Sequence, residues 1–338
     1  MSIKQIVKKI YTLFSPQYRK ICQMEQAVGR LERQINIYQA RNQNMLWLLM
    51  GSQLGSQTIA GSQKKFWLNY PKADGDMQIV QQANLYLISC MSRICEELGI
   101  SFWMHGGSLI GAVRHQGFIP WDDDVDVGML REDLEVLIDR LKDDKFFQIS
   151  MAYHDDEKFS RAYQFKLRDE EFCCFIDIFV FDYYPGDQAT FTQEFQSTRS
   201  DMVAEFLREP VQKEPEYLSW HFAKYDDYAH LKLDHIFDKY LEMIQYRRKN
   251  NFIYYSIENY PFPYPLMEMD DIFPLVSTKF ESITVNIPRN FALYLKGYGD
   301  YWQLPGDMER PSHFGYYAPH ISYLESIICQ HKENYHGK

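Results

Sequence analysis

Four carboxylates stand within five positions in Trp121-Asp122-Asp123-Asp124-Val125-Asp126-Val127, with apolar residues closing on both sides. Crowding like charges into apolar chain costs free energy unless something cationic sits among them. In Asp124-Val125-Asp126-Val127 the period is two, so a strand places Asp124 and Asp126 on one face and the valines on the other. Two carboxylates on one strand face make an oxygen-only seat for Mg²⁺, with Mn²⁺ as the alternative. Just upstream, a short apolar strand Phe102–His105 runs into Gly106-Gly107-Ser108, and a glycine pair lets backbone approach a phosphate closely.

Phosphoryl transfer asks little covalent chemistry of a protein; it asks for metal ions held between carboxylates and phosphate, and an activated hydroxyl in line. A third carboxylate is available in Asp177, alone in the near-continuous apolar run Cys174–Val180. It faces either a buried cationic partner or the same metal site, and the Asp124/Asp126 pair favours the metal or base role. Asp122 and Asp123 are expected to orient the loop before the strand by hydrogen bonds to backbone, or to touch the outer shell of the metal, and Asp182 to cap a turn. Arg114 reads as a phosphate clamp or a surface arginine. Lys166 shares a strand face with Arg168, where the pair either complements phosphate or meets solvent. His105, at a strand end, reads as a hydrogen-bonded core residue rather than a ligand.

Strand, Gly-Gly-Ser turn, short helix and Asp-x-Asp strand is the element order of a nucleotidyltransferase core. The expected fold class is therefore α+β: a mixed sheet flanked by helices, with a helical C-terminal half and an N-terminal coiled-coil helix. Around the motif the pattern predicts a helix over Ile79–Leu98 stopped by Gly99 and a strand over Val125–Met129. A helix over Glu132–Leu141 follows, then strands over Phe146–Met151, Tyr163–Leu167 and Phe172–Phe181, and mostly helix from Ala189 to Asn250. Residues 1–20 are basic and amphipathic and suit an anionic membrane surface or an ordinary docked helix. From Ile21 the apolar spacing alternates 3 and 4 through Met24, Val28, Leu31, Ile35, Tyr38, Asn42, Met45 and Leu49. This is a coiled-coil seam over residues 21–50, and Asn42 at an a position favours a parallel homodimer through residues 21–49. Residues 51–65, rich in Gly, Ser and Gln, read as a linker, and 66–338 as the catalytic domain.

The chain of 338 residues is 46% hydrophobic and 16% aromatic, which excludes disorder for most of it. A net charge of −10 argues against a nucleic-acid groove. The sequence shows neither a secretory apolar region nor an apolar run of membrane-spanning length, so the expected place is the cytoplasm, peripheral at the inner face of the membrane. Six cysteines show no CxxC spacing, which predicts reduced thiols and no structural zinc.

The block from His105 through Gly106-Gly107-Ser108, Arg114-His115-Gln116-Gly117-Phe118-Ile119-Pro120 and on to Asp126 resembles the signature of the LicD family. Phe280-Glu281-Ser282, Pro288, Tyr298-Gly299-Asp300-Tyr301-Trp302 and Pro305 resemble that family's C-terminal block, so the resemblance covers about residues 80 to 315. It implies transfer of a phospho-alcohol from a cytidine diphosphate donor to a glycan hydroxyl. Phosphocholine from CDP-choline is the favoured case, with ribitol- or glycerol-phosphate as alternatives, and capsule, teichoic acid or lipopolysaccharide precursors as acceptors. It further implies that Gly106, Gly107 and Ser108 hold the donor phosphates, that Asp124 and Asp126 bind Mg²⁺, and that Asp177 takes the third-carboxylate place. A choline donor needs an aromatic cage, for which Tyr183, Tyr184, Tyr298, Tyr301, Trp302, Tyr316 and Tyr317 are in range. Two rival readings are nucleotidylyl transfer from an NTP and a non-catalytic coiled-coil scaffold on the same fold.

Overall fold

The computed structural model describes residues 16–154, 159–208, 227–259, 262, 264–305 and 312–335. The chain forms two units: Met1–Asn69 with Trp302–Leu304, and Tyr70–Tyr301 with Pro305–Lys338. Of the basic segment 1–20, residues 1–15 lie outside the described residues.

In the first unit, α1 (Pro16–Leu54) is one helix of 39 residues, and α2 (Ile59–Leu68) packs against its C-terminal part. The expected linker 51–65 is instead two helix segments around a turn at Gly55. Thr58 caps α2 by accepting from Gly61 N at 3.1 Å. A Cβ at Gly51 would fall 2.8 Å from the Ser56 carbonyl oxygen, so glycine there permits the close turn instead of ending the helix. Trp47 is fully buried, meets Phe66 edge-on at 5.3 Å, and donates to Gln303 Oε1 at 2.7 Å.

The second unit follows from alternation of apolar helices and strands: α3 (Gly75–Leu98), β1 (Phe102–Met104), α4 (Gly106–Arg114), β2 (Val125–Leu130), α5 (Arg131–Leu141), β3 (Phe147–His154), β4 (Ser160–Leu167) and β5 (Phe175–Tyr183). The helices α6 (Phe191–Phe206) and α7 (Asp227–Met243) come next. The helical C-terminal half is interrupted by four short strands, β6 (Phe252–Tyr255), β7 (Met267–Glu268), β8 (Val276–Phe280) and β9 (Ile283–Ile287), before α8 (Ile321–Tyr335). These strands are brief and flanked by prolines, too short for a period of two to register.

The main sheet runs β1-β2-β5-β4-β3, with β6 on β5 and β7 on β6. β2 and β5 are parallel; β1/β2, β3/β4, β4/β5, β5/β6 and β6/β7 are antiparallel. The fold class is thus α+β, a mixed sheet flanked by helices. Val125, Val127 and Met129 of β2 and Ile176, Ile178 and Val180 of β5 are buried in one core with Leu87, Ile88 and Met91 of α3. A second apolar cluster joins α6 and α7 through Met202, Phe206 and Phe237. All six cysteines are free thiols. Among the described residues no helix is long and apolar enough to cross a membrane.

Candidate active site

β2 and β5 lie side by side in parallel, and their register sets Asp126 opposite Asp177. On the other flank of β5, β4 sets Gln164 opposite Asp177, and the Gln164 amide donates to Asp177 Oδ1 at 3.0 Å. Paired residues of adjacent strands share a face, so Asp126, Asp177 and Gln164 form a polar row across three strands. Asp124 immediately precedes β2. Carboxylate oxygens of Asp122, Asp123 and Asp124 come within 4.8 Å of one another.

The row and the triplet are one electrostatic cluster. Burial, then the charges of Asp124, Asp177 and Asp122, hold the Asp126 carboxyl well above the usual range. Burial and the charges of Asp124 and Asp123 do the same to Asp122. Such groups take up protons or a cation. The donors are all oxygen and the charge is negative, which fits a hard divalent ion such as Mg²⁺ or Mn²⁺. Among the described residues, the carboxylates whose oxygens converge closely enough to share such an ion are Asp122, Asp123 and Asp124, with Asp126 and Asp177 beside them rather than in that group.

The glycine turn is shaped to this cluster. Gly106 has φ +50°, and a Cβ there would lie 2.9 Å from Asp126 Oδ2 and 3.2 Å from the Tyr298 hydroxyl. A Cβ at Gly107 would lie 3.0 Å from Asp122 Oδ2. The glycines thus let the carboxylates sit against the first turn of α4. Ser108 is buried, and its hydroxyl accepts the Asp126 N–H at 3.0 Å, so it pins the start of β2 to α4.

The two expected phosphate cations have different surroundings. Arg114 is buried; burial pushes its guanidinium down to about 10, partly offset by Asp122 and Tyr301. Its Nη1 donates to the Tyr301 carbonyl, tying α4 to the segment after β9. Lys166 is half-buried on β4, two residues from Gln164 and on the same face, and burial lowers its ammonium. Its strand neighbour Arg168 instead donates to the Leu141 and Lys142 carbonyls at the C-terminus of α5. His105 is a core residue as expected. It is stacked on Phe179 at 4.6 Å and hydrogen-bonded through Nδ1 to Tyr294, and burial pushes its imidazole down to about 3.

Several positioning residues were not legible in the motif. On α3, Gln81 donates to the carbonyls of Ile119 and Asp122 at 3.1 and 2.8 Å, and Asn84 donates to the Asp123 carbonyl at 2.8 Å. Both amides are buried within an otherwise apolar helix face, which is the sequence signal that points to them. The turn between β8 and β9 reaches the same loop: Phe118 N donates to Glu281 Oε1 at 3.3 Å, and Glu281 pairs with Lys72. A Cβ at Gly117 would meet the Glu281 side chain, which would have to shift. Of the seven candidate cage aromatics, Tyr298 and Tyr317 lie in the field of the carboxylates, Tyr298 pushed up to about 12 by burial. Tyr183 and Tyr184 stand at the far end of β5, bonded to Glu132 and Glu194.

The segment that carries this site has relatives among known proteins. Residues 99–215 match the LicD/FKTN/FKRP nucleotidyltransferase domain. Over 55 residues, 16% of this chain, the LicD-like segment is 47% identical to the lipopolysaccharide cholinephosphotransferase LicD of Haemophilus influenzae, of which it covers 21%. Over 41 residues, 12% of this chain, it is 51% identical to the human ribitol 5-phosphate transferase FKRP, of which it covers 8%. The chain thus spans about a fifth or less of the length of these curated relatives. The LicD resemblance of the signature block holds at the level of the family domain.

Proposed function

We propose that this chain is a LicD-like phosphotransferase. It moves a phospho-alcohol, phosphocholine first, from a CDP-alcohol to a hydroxyl of a cell-surface glycan precursor and releases CMP. The observation that carries the reading is the register that sets Asp177 beside Asp126, next to Asp122–Asp124 and the Gly106-Gly107 turn. In the reaction the acceptor oxygen bonds to the phosphorus bearing the alcohol. The bond from that phosphorus to the CMP oxygen breaks, and CMP leaves with the electron pair. In this reading Asp177 accepts the hydroxyl proton or polarises the O–H, and the Gln164 amide donates to its carboxylate and orients it. A bound Mg²⁺ would offset the charge of diphosphate and carboxylates together. The glycine turn keeps side chains out of the space beside Asp126 and Asp122. Lys166, on the Asp177 face of the sheet, offsets charge on the leaving phosphate. Ribitol- or glycerol-phosphate are the alternative cargoes, and the two named relatives, a cholinephosphotransferase and a ribitol 5-phosphate transferase, span that choice.

The test is a donor screen with purified protein and Mg²⁺: CDP-choline, CDP-ribitol, CDP-glycerol and CDP-ethanolamine, each with and without glycan acceptors. CMP from one donor, absent in Asp126→Asn, is the expected result. Pyrophosphate from an NTP instead would assign nucleotidylyl transfer. We place the basic residues 1–20 against an anionic membrane surface; unchanged liposome binding after their deletion would remove that part.

A further inference from the structure

Among the described residues, α1 packs through one of its faces. Its packing side runs through Gln43, Trp47 and Gly51: Gln43 Nε2 donates to the Leu304 carbonyl at 3.2 Å, and Trp47 is fully buried. The 3-4 apolar seam from Ile21 to Leu49 lies on a different face. Its eight apolar side chains are 52 to 65% exposed. A helix of 39 residues with such a stripe open to water is not held by propensity alone.

We infer that this seam is covered by a second copy of the chain, as a parallel, in-register two-stranded coiled coil. Three observations select that occupant and that orientation. First, a positions carry Ile21, Val28 and Ile35, and Leu31 stands at d, the β-branched pattern that favours two strands. Second, Asn42 falls at a. A parallel pair sets it against Asn42 of the partner subunit, where the two amides can bond. Any antiparallel register sets it against a d residue such as Leu31 or Tyr38, with no amide to meet. Third, Lys20 at g stands opposite Glu25 of the partner subunit at e in the parallel register, five residues on. Glu25 and Glu32 flanking the stripe, and an amide within it, disfavour an anionic membrane as the cover. Eight seam side chains per helix, each covering roughly 100 Å², remove about 1,600 Å² in the pair, the size of a stable specific interface. Because the seam and the Trp47 face are separate, pairing leaves the packing of α1 on α2 untouched.

The experiment is sedimentation velocity of the full chain at about 1 to 50 µM. The expected species is a dimer. A Leu31→Glu/Ile35→Glu double variant should self-associate at least ~100-fold more weakly, because four carboxylates then share the seam. Its circular dichroism should still show the folded catalytic unit. Arg33→Glu, on the outer face, should remain dimeric. To read orientation, Leu31→Cys on a Cys22→Ser background should cross-link to itself under mild oxidation. A monomeric wild type, a dimer indifferent to the double variant, or failure of the Leu31→Cys dimer to cross-link each overturns the inference. So does a monomer that binds anionic vesicles through the seam.

Discussion

Strand β5 carries a carboxylate toward each end, and the two ends treat charge in opposite ways. Asp182 receives a two-pronged grip from Arg131, Nε to Oδ1 at 2.6 Å and Nη2 to Oδ2 at 2.8 Å. Arg131 and Arg161 both reach the fully buried Glu258, Arg161 Nε at 2.6 Å, and Arg161 continues to Asp234 at 2.8 Å. Burial pushes Glu258 up, but the two guanidiniums outweigh it and the carboxyl ends below its ordinary value. At the other end Asp177 stands beside Asp126, and the charges that Asp126 feels most are carboxylates. One cluster contains its own counter-charge and clamps β5, the start of α5 and the segment after β6. The other gathers carboxylates that push one another's protonation upward at Asp122 and Asp126, with the buried Arg114 guanidinium near Asp122. A buried network whose charges pair off is scaffold; one crowded with like charge is a candidate site.

The largest expected effect tests the end crowded with like charge. Asp126→Asn should lower turnover about a thousandfold or more, while the metal-free protein melts about 3 °C higher because like-charge repulsion is relieved. A steady-state assay of CMP release alongside thermal melts reads both; a fall in melting temperature with activity kept would reverse the assignment. At the balanced end, Glu258→Gln leaves two buried guanidiniums short of charge and should cost about 3–5 kcal/mol of stability, seen in denaturant titration. A cost within 0.5 kcal/mol would show the network to be dispensable. A smaller effect connects scaffold to site. Asn84→Ala frees the Asp123 carbonyl and should reduce turnover about tenfold, at about 1 kcal/mol in stability; a loss of stability with unchanged turnover of the folded protein would make Asn84 structural alone.

The smallest effect is in pH. Glu258 titrates below the unfolded carboxylate value of about 4.3, so its contribution is present above that value and lost as pH falls through the folded one. Asp122 and Asp126 titrate above the unfolded value of about 3.9. Their contribution is full below that value and lost as pH rises through the folded ones. Melts in EDTA should therefore decline with pH above the unfolded aspartate value as the site ionises. The rise in melting temperature given by Mg²⁺ should grow with pH, since the ligating oxygens must be ionised. A Mg²⁺ effect that is flat with pH would separate the ion from these carboxylates.

Legibility in the sequence followed range. The alternation of Asp126 with Val125 and Val127 and the helix stop at Gly99 are local and stand in the structure as the residues imply, whereas Asp124 falls just before β2 and Gly106-Gly107 open α4 instead of preceding it. Asp182 was read as a turn cap because its partner Arg131 lies 51 residues away. Ser108 was read toward a phosphate; its hydroxyl also accepts the Asp126 N–H, a partner 18 residues on, and keeps its O–H to donate. Residues 51–65 carry linker composition yet fold as helix, because α1 and α2 pack on each other around Gly51.

The sequence by itself determined that Asp126 alternates with its buried valine neighbours, that glycine stands at the positive-φ positions 99 and 106, and that a 3-4 apolar seam precedes the main unit, since each follows from backbone geometry over a few residues. Tertiary structure alone decided that Asp177 stands against Asp126, that Asp182 pairs with Arg131 while Asp126 sits among carboxylates, and that Gln81, Asn84 and Glu281 hold the acidic loop. Those depend on parallel strand register and on partners far along the chain, and pairing between distant segments is set by burial and polar satisfaction of the whole fold rather than by any local pattern.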